Sequence, residues 1–253
     1  MKRALTGIGI LVTRPREQSN ELTRALIDAG GKVYELPAIE IIPNDADAVV
    51  SEASAQPSPD IVIFVSRNAV LFGTTAVRRV ASATTRIAAI GSATRSALND
   101  AGFEIHICPT DKFDSEHLLE HAELQDVVGK QITIVRGSSG RELLAETLTE
   151  RGATVRYLAT YQRKTATIDP EALRKVGSIW HEGFINTVVV MSVDSLTSLL
   201  KILPPDCHSL LRKSRLVTPS KRVIQTVAEA LPGVETVLAD GPLAENLIKA
   251  INQ

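Results

Sequence analysis

The sequence predicts an α/β protein made of two doubly wound, flavodoxin-like parallel-sheet lobes, interleaved along the chain and joined by a two-stranded antiparallel connector. Three observations carry that reading. Short, unbroken apolar runs alternate with amphipathic stretches, as strands buried on both faces alternate with helices. Segment 8–36 recurs without gaps as 130–158, so one β-α-β unit is used twice. In both copies the second strand of this unit continues to about twice an ordinary strand length.

Along the chain, the first element is the run Ile8–Val12, a strand to be buried on both faces. Arg14 and Arg16 interrupt the apolar stretch well short of a membrane span, which needs ~18 residues, and no small-residue cleavage site follows. Residues 17–29 place Leu22, Ala25, Leu26 and Ala29 on one helical face, and Gly30 ends that helix as a left-handed cap. The extended run VYELPAIEIIP from Val33 contains Pro37 and Pro43, which argue against a central sheet position because proline donates nothing to the ladder. Further strands are read at Ile61–Val65, Ile87–Ile90, Ile132–Val135, Val188–Met191 and Leu216–Val217, about five per copy. Gly152 repeats the cap of Gly30, and VRYLATYQRK from Val155 repeats the long extended run.

The repeat sets Arg14 on Arg136, Leu22 on Leu144, Leu26 on Leu148 and Leu36 on Leu158. A second kind of segment also recurs: VIFVSRNAV from Val62 resembles VVVMSVDSL from Val188, and DKFDSEHLLE from Asp111 resembles DGPLAENLIK from Asp240. If the long extended runs cross between lobes, the first lobe comprises 1–36 with 166–253, the second 44–154, and the stretches 37–43 and 155–165 connect them. The plainer alternative is two sequential domains meeting near Gly129.

Composition bounds the function. With 253 residues, 44% hydrophobic content and a formal charge of −1, the chain suits a soluble globular protein of one or two domains. A balance of 28 basic and 29 acidic residues gives no bulk attraction to nucleic acid or to an anionic membrane, so an anionic partner must be met by a local site. Cys108 and Cys207 have neither metal-ligand spacing nor a disulfide framework, which fits a reducing, cytoplasmic setting.

In doubly wound sheets, ligands bind beyond the carboxyl ends of the strands, where helix N-termini present N–H groups and the positive end of the dipole. Those positions carry Thr13-Arg14-Pro15, Ser66-Arg67-Asn68, Gly91-Ser92-Ala93-Thr94, Arg136-Gly137-Ser138-Ser139-Gly140, Ser192-Val193-Asp194-Ser195 and Thr218-Pro219-Ser220-Lys221-Arg222. Helix capping alone favours Ser, Thr, Asp and Gly there. It does not account for Arg14, Arg67, Arg136, Lys221 and Arg222 at the same ends, which suggest a cleft mouth for a ligand bearing several carboxylates or phosphates.

Other signals point elsewhere. Gly137–Gly140 lacks the Gly-Lys-Ser/Thr ending of a nucleotide loop, and Gly7-Ile8-Gly9 precedes a strand instead of following one. His117 and His121 stand at i, i+4 with no third ligand in place and read as a solvated helix face. Trp180, in the stretch before a strand, reads as loop packing. No nucleophile elbow, metal motif or acid/base carboxylate pair is visible, so positioning and dipoles must steer any reaction. Tyr161 lies on the second crossing strand, where a phenol could reach the cleft and assist a leaving group, or serve as an ordinary connector residue.

At LVTRP, FVSRNAV, AIGSATRSAL, SEHLL, IVRGSSGRELLAETLTERGA, ATYQR, MSVDSL and ENLIKAI, in that order, the chain resembles the uroporphyrinogen-III synthase family over essentially its whole length. The turn Thr218–Arg222 departs from the glycine-containing turn often found there in the family. The resemblance implies a cyclising lyase that takes hydroxymethylbilane, a linear tetrapyrrole with eight carboxylates, to uroporphyrinogen III with loss of water and inversion of ring D. It implies no cofactor, no metal, no nucleic-acid partner and no membrane; a monomer is expected, with transient contact with the preceding pathway enzyme left open. Loss of hydroxide gives an azafulvene, the substituted carbon of ring D attacks it to form a spiro intermediate, and fragmentation and reclosure give the type III isomer. Tyr161, matching the family's tyrosine near the connector, is assigned to hydroxide departure. Arg14, Ser66, Arg67, Asn68, Gly91, Ser92, Ala93, Thr94, Arg136, Gly137, Ser138, Gly140, Ser192, Ser195, Ser220 and Lys221 are expected to hold the acetate and propionate groups. The rival from another class is a non-catalytic two-lobed binder of an anionic metabolite.

Overall fold

The computed structural model describes residues 4–110 and 113–253, so Asp111 and Lys112, which open one of the recurring segments, and Met1 to Arg3 lie outside the described residues. Among the described residues, two five-stranded sheets carry the fold. By internal packing the chain divides into a first unit, Met1–Glu40 with Lys164–Gln253, and a second unit, Ile41–Arg163.

The first unit begins with β1 (Gly9–Val12), α1 (Arg16–Asp28) and β2 (Lys32–Glu35). It resumes with α7 (Pro170–His181), β8 (Thr187–Val189), α8 (Val193–Ile202), α9 (Pro205–Lys213), β9 (Arg215–Thr218), α10 (Lys221–Ala230), β10 (Thr236–Leu238) and α11 (Ala244–Ile251). Its sheet order is β2-β1-β8-β9-β10, with every adjacent pair parallel. That is the flavodoxin-like order, with the strand that comes first along the chain second from the edge.

The second unit contains β4 (Ile61–Phe64), α3 (Arg67–Val80), β5 (Arg86–Ala89), α4 (Ser92–Asp100), α5 (Ser115–Leu119), β6 (Gln131–Gly137), α6 (Leu143–Glu150) and β7 (Thr154–Thr165). It is preceded by β3 (Ile39–Pro43) and α2 (Ala46–Ser54). Its sheet order is β3-β7-β6-β4-β5, and a parallel bridge from Ala88 to Ile107 extends it past β5. With the repeat as guide, β7, β6, β4, β5 and the Ile107 bridge occupy the places of β2, β1, β8, β9 and β10. Both units therefore share one topology, but in the second the β-α-β segment comes last along the chain, whereas in the first it comes first.

The repeat is visible at atomic detail. In α1, Gly30 N–H donates to Ile27 O (2.8 Å) and Gly31 N–H to Leu26 O (3.0 Å); in α6, Gly152 N–H donates to Thr149 O (2.9 Å) and Ala153 N–H to Leu148 O (3.0 Å). Both are Schellman caps, and each needs the positive φ that Gly30 (+94°) and Gly152 (+87°) adopt. The matched leucines Leu22 and Leu144, Leu26 and Leu148 are all buried, each burial worth roughly 1.5–3 kcal/mol.

The long extended runs differ from one another. The first breaks at Leu36-Pro37-Ala38 into β2 and β3, whereas the second is one twelve-residue strand, β7. Residues 154–159 of β7 pair with β6 in one register, which then shifts by one residue so that Tyr161 faces Gly137; most of the stretch read as a connector is thus an ordinary sheet member. Its end runs antiparallel to β3: Asn44 N–H donates to Thr160 O (3.0 Å) and Ala166 N–H to Ala38 O (3.0 Å). Pro43 closes β3, which stands at the sheet edge, where a residue without an N–H is tolerated. The boundaries between units fall at Glu40/Ile41 and Arg163/Lys164, inside these two strands.

Two local readings change. Trp180 sits on α7, not in a loop; it is buried and its Nε1 donates to Ser214 Oγ (3.0 Å), which lets an indole N–H enter an apolar core. His117 and His121 do not share a helix face, because α5 ends at Leu119; His117 pairs with Asp114, and His121 caps the next short turn. Among the described residues no helix is long and apolar enough to cross a membrane.

Candidate functional site

All strands of the first unit's sheet are parallel, so their carboxyl ends line one edge, and neighbouring strand tips stand roughly 5 Å apart. Arg14 follows β1, Ser192 and Ser195 follow β8, and Ser220 and Lys221 follow β9, on three successive strands. The β1 and β8 tips are tied by Thr13 Oγ1, which donates to Val189 O (2.9 Å). Ser192 is the N-cap of α8: its Oγ accepts from Ser195 N–H (3.2 Å) and lies 3.0 Å from Ser195 Oγ, and Ser195 itself is buried. Capping thus accounts for this pair of hydroxyls, leaving the amides of the α8 first turn as what the edge can offer a ligand. Ser220 caps α10 with no side-chain hydrogen bond, and Lys221 and Arg222 beside it are exposed; Arg14 is half-buried.

In the second unit, Ser66 is the N-cap of α3, accepting from Ala69 N–H (3.0 Å), while Arg67 is exposed and Asn68 half-buried. Gly91 caps α4 and has no side chain with which to occupy the first-turn amides of Ser92, Ala93 and Thr94. Phe113 packs against Gly91, and Thr94 is buried, so exposed Ser92 and Ala93 are what this turn offers an anion, the first N–H groups of a helix having no partner within it.

The Arg136 loop departs from the sequence reading. The helix after β6 starts at Leu143, not at Gly137–Gly140, so Ser138, Ser139 and Gly140 form an exposed loop ahead of it. Arg136 is a correction to the set of mouth cations: it is 5% exposed, pairs with Glu142 (3.1 Å) and lies 4.3 Å over the Tyr157 ring. Its charge is spent within the fold. Tyr157 donates to the same Glu142 carboxylate. Burial, and then that carboxylate, push the Tyr157 phenol up to about 12, and the Tyr157 hydrogen bond, with Arg136 next, holds Glu142 below the usual carboxylate range. Gly137, which ends β6, and Gly140 in the loop both lie close against side chains of this cluster. A Cβ on Gly140 would stand 2.6 Å from the Arg136 guanidinium, and one on Gly137 would stand 2.8 Å from the Tyr161 ring.

Tyr161 is where the separate signals of the second unit meet. Its ring is 2% exposed, packed within the core beside Phe72 and over Gly137, with its hydroxyl 3.1 Å from Ser66 Oγ. Ser138 N–H and Oγ both donate to Tyr161 O (2.8 and 3.2 Å). Ser66, Gly137, Ser138 and Tyr161 are thus brought together where β4 and β6 end beside the middle of β7, while Gly91–Thr94 stand one strand further along the edge. Arg163 was missed by the sequence reading. It is exposed, and its guanidinium donates to the Tyr161 hydroxyl at 3.5 Å. The signal was available: two residues on from Tyr161 in an extended strand, Arg163 lies on the same face.

The scaffold is matched by known proteins. The family model described as "Uroporphyrinogen-III synthase HemD" matches residues 20–249. The chain is 34% identical to the uroporphyrinogen-III synthase of Salmonella typhimurium, covering 96% of this chain and 100% of that one, and 32% identical to that of Escherichia coli at the same coverage. Among solved structures, uroporphyrinogen-III synthetase from Helicobacter pylori superimposes with a TM-score of 0.62 at 13% identity, covering 96% of this chain and 97% of that one. A mutant uroporphyrinogen III synthase from Thermus thermophilus gives 0.60 at 16% identity, with coverage of 95% and 96%. At such identities the structural likenesses speak for the fold.

Proposed function

The chain belongs to the uroporphyrinogen-III synthase family, and we propose that it closes hydroxymethylbilane to uroporphyrinogen III with loss of water and inversion of ring D, using Tyr161 to assist departure of the hydroxyl. It is a cyclising lyase of tetrapyrrole biosynthesis. The observation that carries the assignment of Tyr161 is its hydroxyl, held at the carboxyl edge of the second unit's sheet by Ser66 Oγ (3.1 Å) and approached by the Arg163 guanidinium (3.5 Å).

The chemistry asks for two things. As the carbon–oxygen bond of the hydroxymethyl group breaks, negative charge gathers on the departing oxygen, and a phenol O–H aimed at that oxygen stabilises it by a charge-assisted hydrogen bond. Packing of the ring holds its hydroxyl in one place, and half-buried Ser66, able to donate or accept, can pass the proton onward. The second requirement is orientation. The unassisted chain closes without inverting ring D, so the protein must hold the bilane with the substituted carbon of that ring against the azafulvene carbon.

Carboxylates are the handles for that task. In the second unit the α4 first turn (Ser92 and Ala93), Arg67, Asn68 and Arg163 supply N–H groups and cations at the sheet's carboxyl edge; in the first unit the α8 and α10 first turns do so with Arg14 and Lys221. Ser66 and Ser192 serve chiefly as caps that keep those turns in place. Arg136 acts indirectly, by holding the loop that carries Ser138.

The test supplies hydroxymethylbilane to the purified chain and separates the porphyrin isomers after oxidation. Type III product is the expected outcome. Type I alone, at the spontaneous rate, would overturn the assignment in favour of a binder that does no chemistry.

A further inference from the structure

We propose that His181, Asp206 and Cys207 form a binding site for a thiophilic divalent cation, zinc above all, in the first unit and apart from the edge assigned to the substrate. The three side chains offer an imidazole nitrogen, a carboxylate oxygen and a thiol sulfur, all within 4.8 Å of one another. His181 closes α7, and Asp206 and Cys207 lie in the first turn of α9. Because α7 leads into the start of β8, the cluster lies toward the amino ends of the strands.

Its geometry is close to that of a metal site. His181 Nε2 stands 3.0 Å from Asp206 Oδ2. In a tetrahedral zinc site with bonds of 2.0–2.3 Å, neighbouring ligand atoms are about 3.3–3.6 Å apart, so closing this cluster takes side-chain shifts of about 1 Å. His181 and Asp206 are exposed and give the ion a way in, while Cys207 is buried at the base. The thiol has room: a Cβ on Gly177 of α7 would still lie 3.5 Å from Sγ, so the helix passes without a side chain in between. Both helices orient favourable ends, since the carbonyl end of α7 attracts a cation and the amide end of α9 favours a thiolate.

A surface His–Asp pair explains two of these residues and is worth little by itself. It does not explain a thiol within reach of both partners. Without a metal, burial and then the Asp206 charge push the Cys207 thiol up and keep it protonated. Coordination reverses this: the thiol proton leaves to solvent, a sulfur–metal bond forms, and Asp206 changes from a repelling neighbour into a co-ligand. Three protein ligands leave the fourth position of a tetrahedral zinc site to water.

The experiment adds Co²⁺ and then Zn²⁺ to the full chain after chelator treatment. Expected are a near-ultraviolet thiolate-to-cobalt absorption, its loss on adding one equivalent of Zn²⁺, and a rise in the thermal midpoint with Zn²⁺. Cys207→Ser should abolish the band, and His181→Ala and Asp206→Asn should each weaken binding by at least the roughly 10–100-fold that loss of an outer-shell partner costs. Cys108→Ser, at the other cysteine, should leave all three signals intact. His181→Ala changes an exposed side chain, so it keeps the test sound should Cys207→Ser fold poorly. No thiolate band in the unaltered chain, or Zn²⁺ affinity unchanged in His181→Ala and Asp206→Asn, overturns the proposal.

Discussion

Replacing Tyr161 with Phe removes one oxygen and little else. The ring stays packed beside Phe72 and over Gly137; what is lost is the contact with Ser66 Oγ (3.1 Å) and the approach of Arg163 (3.5 Å). A neutral hydrogen bond contributes about 0.5–1.5 kcal/mol net, and Ser66 keeps its bond from Ala69 N–H, so stability should fall by about 1 kcal/mol. The effect on the reaction should be larger, because the bond to a departing hydroxide is charge-assisted and worth about 1.5–3 kcal/mol. At 1.36 kcal/mol per factor of ten, that is a fall in kcat of about 10- to 160-fold. The assay is the initial rate of hydroxymethylbilane consumption less spontaneous closure, with isomers separated after oxidation and the urea midpoint measured alongside. Type III should remain the enzymatic product, since orientation is unaffected, and KM should hardly move. An unchanged kcat, or a loss of rate that tracks a loss of folded protein, would refute the reasoning.

The other predictions concern the groups around that phenol. Arg163→Gln should raise KM about fivefold, equal to roughly 1 kcal/mol of lost carboxylate binding, and flatten its dependence on salt; a KM unchanged at low ionic strength would remove Arg163 from the binding set. Gly137→Ala should cost about 1–3 kcal/mol, because the new Cβ stands 2.8 Å from the Tyr161 ring and the packed core leaves that ring no slack; the urea midpoint and turnover should drop together, and an unmoved midpoint would show that the ring yields freely. The Tyr157 phenol, pushed from 10.0 up to about 12, binds its proton more tightly folded than unfolded. Its share of stability is complete below pH 10 and is lost as pH rises toward 12. Urea midpoints across that window should fall more steeply for the unaltered chain than for Tyr157→Phe, and parallel profiles would contradict the assignment.

How far the residues alone reach can be judged at particular positions. Leu22, Leu26, Leu144 and Leu148 recur at helical spacing with Gly30 and Gly152 behind them, and those letters determine two amphipathic helices with left-handed caps, because periodicity and positive φ are local properties of the chain. The strand tips that carry Ser66, Gly91 and Ser192 were legible for the same reason, an apolar run followed by a capping residue. The order of the recurring segments and the family resemblance likewise need no coordinates. Tertiary structure decided what depends on residues distant in the chain. Arg136 reads as a free mouth cation until Glu142 and Tyr157 fold against it, and Tyr161 reads as a connector residue until Ser66, ninety-five positions away, meets its hydroxyl. His181 joins Asp206 and Cys207 across a whole helix and strand, a grouping no spacing motif encodes. Local letters set backbone conformation and which face is apolar; the partner of a charge, a phenol or a thiol is chosen by packing, which brings together residues that the sequence keeps apart.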